Sequence, residues 1–289
     1  MTTPHFIPWF TVDAWRVPLP LLEDHPIEPF GSLVALGVVL GSLVTLWRAR
    51  CAGIPTSVMM DAIAHTVFTG FVVSHLFDAL FYFPQQFAAD PLRILRLGNG
   101  LSALGGFFGS LIGAWIWKLR RGHSIILVTD HIAFGFPLGF GIGRVACFLV
   151  HDHPGVVTTF PLAVADYPVG RPPFLPRHDL GLYEAIFTLA LMAFFLALGT
   201  RPRRPGLFLG LLPTSYAPVR FFLDFLREGP DAGGDVRYLG FTPGQYGAVL
   251  LLALGVGVLV FIHRRPPLVF ACDGIDEDGP PEAPPRRSR

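Results

Sequence analysis

The chain has 289 residues; 52% carry apolar side chains, only 15% are charged, and the mean hydropathy is +0.52. That composition excludes an ordinary soluble domain and indicates a polytopic membrane protein. The formal charge of +1 gives no reason to expect nucleic acid as a partner, and the placement of Cys51, Cys147 and Cys272 does not suit a disulfide framework.

Seven segments reach the ~18 residues needed to cross a hydrocarbon core about 30 Å thick. They lie near residues 30–47, 62–83, 100–117, 125–150, 180–199, 206–226 and 244–263. The expected fold class is therefore all-α, a membrane-spanning helical bundle forming a single domain over residues 1–265. Ahead of the first span, Asp13, Glu23, Asp24 and Glu28 and the lack of a basic start speak against a secretory signal. Cations cluster at Arg48 and Arg50, at Lys118, Arg120 and Arg121, at Arg201, Arg203 and Arg204, and at Arg264 and Arg265. The positive-inside bias puts these clusters in the cytoplasm. The opposite face keeps Arg16, Arg93, Arg96, Arg171, Arg177, Arg227 and Arg237. This orientation leaves the N-terminus outside and the C-terminus inside. The Pro-rich, acidic tail over 266–289 is expected to be disordered.

Two glycine series, Gly105, Gly109, Gly113 and Gly135, Gly139, Gly143, make smooth ridges suited to close helix packing in lipid. The run "GFGIGR" ending at Arg144 is not a dinucleotide loop, because no strand precedes it. An arginine near mid-span costs about 2.5–3.5 kcal/mol on insertion scales, so one that persists faces a cavity, a partner or a ligand. Arg144 in the fourth span and Arg220 in the sixth are such residues, with Asp224 one turn beyond Arg220 on the same face. They could staple helices by pairing with carboxylates, or hold an anionic headgroup in a bidentate fork.

The stretches "ADPLRILRLGNGLSALGGFFG", "GIGRVACFLVHDHPG", "LPRHDLGLYEA", "SYAPVRFFLDFLREGPDA" and "FTPGQYGAVL" follow one another in the order and spacing of the bacterial prolipoprotein diacylglyceryl transferases, which the chain resembles from about residue 28 to about residue 263. The resemblance implies transfer of a diacylglyceryl group from phosphatidylglycerol to the lipobox cysteine of a preprolipoprotein signal peptide, with release of glycerol phosphate and no cofactor or metal. It implies a multi-pass protein of the bacterial plasma membrane, in contact with membrane lipids. Arg144 and Arg220 match the family's two essential arginines. Ser102, Gly105, Gly106, Gly155, His178, Tyr183, Glu184, Asp224 and Arg227 stand at positions expected to help bind substrate.

The chain departs from the family pattern where protons are handled. The family reads Ser-Phe-His-Gly-Gly where this chain has Ser102, Ala103, Leu104, Gly105 and Gly106, and its tyrosine near the first span is Phe30. In the motif after Arg144, Ala146 replaces a glycine, Cys147 and Val150 replace asparagines, and the acidic residue just beyond is Asp152. Candidates for a replacement base are His151 and His153, with Asp152 orienting one of them, since imidazole suits accepting a thiol proton near neutral pH. A continued helix would place these histidines roughly 10 to 13 Å from Arg144, beyond contact with it. His-x-His followed by Pro-Gly also reads as a polar turn leaving the membrane, or as two metal ligands awaiting others. His75 and Asp78 lie on one face of the second span; with Asp224 they suggest a proton relay in a small transporter. An inactive relative that binds phospholipid or an exported peptide is a further possibility. Residues 151–179 are expected to form an extracytoplasmic cap, with "TTFPLAV" as a possible strand.

Overall fold

The structure, a computed structural model, describes residues 6–13, 28–90, 92, 101–122, 124–169, 172–200, 203–229 and 235–264. His5, Arg16, Glu23, Asp24, Arg93, Arg96, Arg171, Arg201, Arg265, Cys272 and the tail expected to be disordered lie outside these residues.

Seven long helices occupy the seven expected segments. They are α1 (Pro29–Cys51), α2 (Thr56–Phe77), α4 (Ala103–Arg121), α5 (Ile125–Val150), α6 (Leu180–Gly199), α7 (Leu207–Leu223) and α8 (Pro243–His263). The short α3 (Pro84–Ala89) follows a π turn, Asp78–Tyr82, that continues α2, and a 3-10 turn, Asp224–Leu226, closes α7. Among the described residues five helices, α1, α2 with its π turn, α5, α6 and α8, are long and apolar enough to cross a membrane. The other two fall short of the seven expected spans for visible reasons. Lys118, Arg120 and Arg121 fill the last turn of α4, and α7 has 17 residues with Arg220 among them.

Helix ends follow local chemistry. Ser102 caps α4 by accepting the Gly105 N–H at 3.2 Å, and Gly122, at φ +73°, ends that helix in the left-handed conformation glycine tolerates. Thr242 and Gln245 form a reciprocal capping box at α8, after which Pro243 supplies a preset φ. Helix α5 ends on His151 at φ +51°, one of the few non-glycine types found there.

Helices pack in pairs, α1 on α5, α2 on α4 and α7 on α8. The glycine ridges set two of these contacts. A Cβ on Gly113 would lie 2.5 Å from the His65 carbonyl oxygen, and one on Gly139 would lie 2.7 Å from that of Gly37. Gly143 does not belong to its ridge, for a Cβ there meets nothing within 4 Å. The core gathers Phe107, Phe134, Phe195, Phe208, Leu212 and Tyr216 between α4, α5, α6 and α7.

Opposite the Arg144 end of α5, Asp130 is buried and accepts the Phe208 and Leu209 N–H groups at 2.7 and 3.0 Å. It thereby satisfies donors that the start of α7 leaves open. Arg48 of α1 lies 3.9 Å from Asp130, its guanidinium 4.4 Å from the ring centres of both Phe134 and Phe208.

Between α5 and α6, within the expected cap, the described residues add a small sheet to the helical bundle. Strands β1 (Pro154–Val157), β2 (Val164–Tyr167) and β3 (Leu175–Asp179) pair antiparallel in the order β1-β3-β2. The strand expected over 158–164 begins only at Val164, because the Phe160 carbonyl accepts the Ala163 N–H at 2.9 Å and turns the chain first. Ile7 extends the β2 edge in parallel, donating to Ala163 O at 2.9 Å and accepting from Ala165 N at 2.8 Å.

Candidate active site

One buried carboxylate organises the site. Glu184 stands in the second turn of α6, because Asp179 ends β3 and at once caps α6, accepting the Leu182 N–H at 3.1 Å. Its Oε1 accepts from Arg220 Nη1 of α7 at 2.8 Å. Its Oε2 accepts from the Tyr216 hydroxyl at 3.0 Å and lies 2.6 Å from Arg144 Nε of α5, an ion pair whose N–H points off the oxygen. Glu184 is fully buried, and both arginines are less than a tenth exposed. So much charge in a dry setting persists only when paired.

The network continues along α7. Arg220 Nη1 also lies 3.0 Å from Asp224 Oδ1, which accepts from Arg227 Nε at 2.9 Å. Asp224 Oδ2 accepts from the Thr242 hydroxyl, and Arg227 Nη1 reaches Asp235 at 3.0 Å. The carboxylate partners contemplated for both arginines are therefore present: Asp224 for Arg220, and Glu184 for both.

Histidines 151 and 153 part company. The left-handed residue at 151 folds the chain back, so His153 does not stand beyond contact with Arg144, as a continued helix would have placed it. Arg144 Nη1 lies 3.2 Å from His153 Nε2 and 3.5 Å from Cys147 Sγ. Asp152 hydrogen-bonds Nδ1 of the same ring. Burial, with the charges of Arg227 and Arg144, holds the His153 imidazole below its ordinary pKa, against the opposing pull of Asp152. His151 turns away from the arginines. Its Nδ1 contacts Asp179 Oδ2 at 2.8 Å, and its ring stacks on Trp9 at 4.3 Å and meets Phe10 and Tyr167 edge-on. The Tyr167 hydroxyl donates to His151 O at 2.7 Å, and burial raises its pKa.

Other residues expected to bind substrate make contacts of their own. Ser102 accepts through its carbonyl from the Ser74 hydroxyl at 2.7 Å, and Gly105 lies so close to α2 that a Cβ would fall 2.5 Å from Phe77 Cβ. Gly106 lies on the same side with more room, for a Cβ there would meet only Ser74 Cβ, at 4.0 Å. Gly155 is squeezed between Leu226 O and His178, and its backbone bridges Arg227. His178 Nδ1 of the cap and the Tyr183 hydroxyl of α6 share a hydrogen bond at 2.8 Å, and burial lowers the pKa of His178. Leu104, standing where the family has histidine, is buried in the apolar cluster with Phe107 and Ala248.

Tyr216 and Thr242 were not singled out in the sequence. Tyr216 could have been, since it precedes Arg220 by four residues on the same helix face. Metal ligation is a further reading of His-x-His. Cys147, Asp152 and His153 bring ligand atoms within 4.8 Å of one another, but the fixed cation of Arg144 lies against two of the three. That arrangement suits an anion better than a metal ion.

Residues 18–261 match the family model described as prolipoprotein diacylglyceryl transferase. The chain belongs to that family. It is 34% identical over 236 residues to the phosphatidylglycerol–prolipoprotein diacylglyceryl transferase of Chromohalobacter salexigens, covering 79% of this chain and 86% of the relative. With the protein of the same name from Chlorobaculum tepidum it shares 35% identity over 259 residues, 84% and 89% of the two chains. A Janthinobacterium relative, also so named, is 33% identical over 213 residues, covering 72% and 78%. The chain is thus a multi-pass membrane protein of a transferase family.

Proposed function

We propose that this chain transfers the diacylglyceryl group of phosphatidylglycerol to the lipobox cysteine thiol of a preprolipoprotein at the outer face of the bacterial plasma membrane. The observation that carries this reading is the convergence of Arg144 and Arg220 on Glu184, two buried guanidiniums beside a partly exposed imidazole–carboxylate pair.

The thiolate sulfur attacks the glycerol carbon, and the C–O electron pair leaves with the phosphate, so negative charge grows on the leaving group. Fixed guanidiniums in a water-poor site stabilise that charge without reorganising. Glu184 and Tyr216 hold both forks in place before the lipid arrives. Open space beside Gly143 gives the backbone next to Arg144 room for a headgroup. His153, held by Asp152, takes the thiol proton in place of the histidine that Leu104 replaces. The cap, with the N-terminus, faces outward, and the chain beyond α8 lies in the cytoplasm. The acceptor signal peptide reaches the centre from the cap side.

Purified protein incubated with phosphatidylglycerol and a lipobox peptide tests this by mass spectrometry. A diacylglyceryl adduct on the peptide cysteine, with release of glycerol phosphate, is the expected result. Bound lipid without product would make the chain a lipid-binding relative instead.

A further inference from the structure

Resting on that reading, we propose that Arg144 occupies the His153 lone pair until a phospholipid phosphate draws it away, so that the base becomes available only in the lipid-bound protein. A guanidinium cannot accept a hydrogen bond, so across the 3.2 Å contact Arg144 Nη1 donates to Nε2 of His153. Asp152 accepts from Nδ1. The ring is therefore the neutral Nδ1–H tautomer, and Nε2 is the single position at which it can take a proton. In the free protein that position is filled.

The donor that fills it is weakly held. Arg144 Nη1 has a neutral imidazole and, at 3.5 Å, a neutral thiol as its partners, while Glu184 is drawn to Nε. A phosphate oxygen carries charge and makes short bonds to guanidinium, so it outcompetes both. The titratable groups around His153 are of both signs. Asp152 is beside it, Arg144 and Cys147 face it from α5, Glu184 from α6 and Arg227 from the segment after α7. The two arginines oppose protonation of the ring, and an incoming phosphate offsets them.

The proposal sets an order of events. Phospholipid binds first and takes the Nη1 donor. The acceptor thiol then passes its proton to the freed Nε2, sulfur bonds to the glycerol carbon, and the C–O pair leaves with the phosphate. His153 finally returns the proton to the released glycerol phosphate. Without lipid the thiol keeps its proton.

The test is a 15N NMR titration of the full chain labelled at histidine, delipidated in detergent, with and without phosphatidylglycerol. The His153 signals are assigned by their loss in His153→Gln. Bound lipid should raise the His153 titration midpoint by about one pH unit, a shift typical of a changed neighbouring charge. Arg144→Gln should raise it without lipid and abolish the response to lipid. Bound phosphatidylglycerol is read in the same samples by 31P NMR, and the adduct assay is run in parallel. An unchanged His153 curve in protein that binds lipid and forms product overturns this inference alone. Absence of both bound lipid and product overturns the proposed function, and the inference with it.

Discussion

Arg144 reaches Glu184 at 2.6 Å from a different helix, and the second oxygen of the same carboxylate serves Arg220. Removing that shared partner takes the Glu184 carboxylate from buried Arg144 and leaves Arg220 with Asp224. Breaking a buried pair from one side costs about 3–5 kcal/mol. Glu184→Ala should therefore lower the thermal midpoint of the detergent-solubilised protein strongly. Glu184→Gln, which keeps an acceptor oxygen, should fall between it and wild type. A melt of Glu184→Ala indistinguishable from wild type would remove this residue from the centre of the network.

Lysine in place of either arginine keeps the charge and loses the planar fork. For Arg144→Lys and Arg220→Lys, phosphatidylglycerol affinity or turnover should fall by about tenfold or more, equivalent to ~1.4 kcal/mol, with the fold retained. Lipid binding and adduct formation at wild-type levels in both variants would mean that the arginines only staple helices.

The lowered pKa of His153 has a definite sign for activity. The imidazole stays neutral to a lower pH than an exposed histidine, and activity is lost as pH falls through that lowered value. The acid limb of kcat/KM for the lipid, which reports the free protein, should lie below the ordinary histidine value of about 6.5. His153→Ala should abolish the limb along with most of the rate. A limb above 6.5 would speak for another base.

Gly139 and Gly143 lie one turn apart and should respond oppositely to bulk. Leucine at Gly139 meets the α1 backbone and should destabilise the α1–α5 contact, seen as a lower melting midpoint. Leucine at Gly143 enters open space beside Arg144 and should leave the melt nearly unchanged while weakening phosphatidylglycerol binding. Equal melting losses in the two variants would contradict this.

The spans, their order and the two arginines were legible because intramembrane charge is rare and apolar runs are long. Arg220 and Asp224 could be paired from their spacing alone. Glu184 as the shared partner could not, since its approach to α5 and α7 depends on how three helices pack. The fate of His151 and His153 turned on a single backbone conformation at His151, which nothing in the neighbouring residue types announces. Arg48 reads as one of a flanking pair of cations, yet it is buried between Phe134 and Phe208 beside Asp130. The cap reads as a loop in composition, and its strands are too short to show alternation.

Strand β3 passes into α6 with no residue between them, and Asp179 at that joint binds both the Leu182 N–H and His151. The cap sheet and the carboxylate that gathers the arginines are thus joined with no loop between them. Under the proposed function, an acceptor peptide at the cap lies on the same stretch of chain as Glu184, five residues beyond Asp179. One uninterrupted run of backbone therefore fixes both the outer surface of the cap and the position of the buried charges.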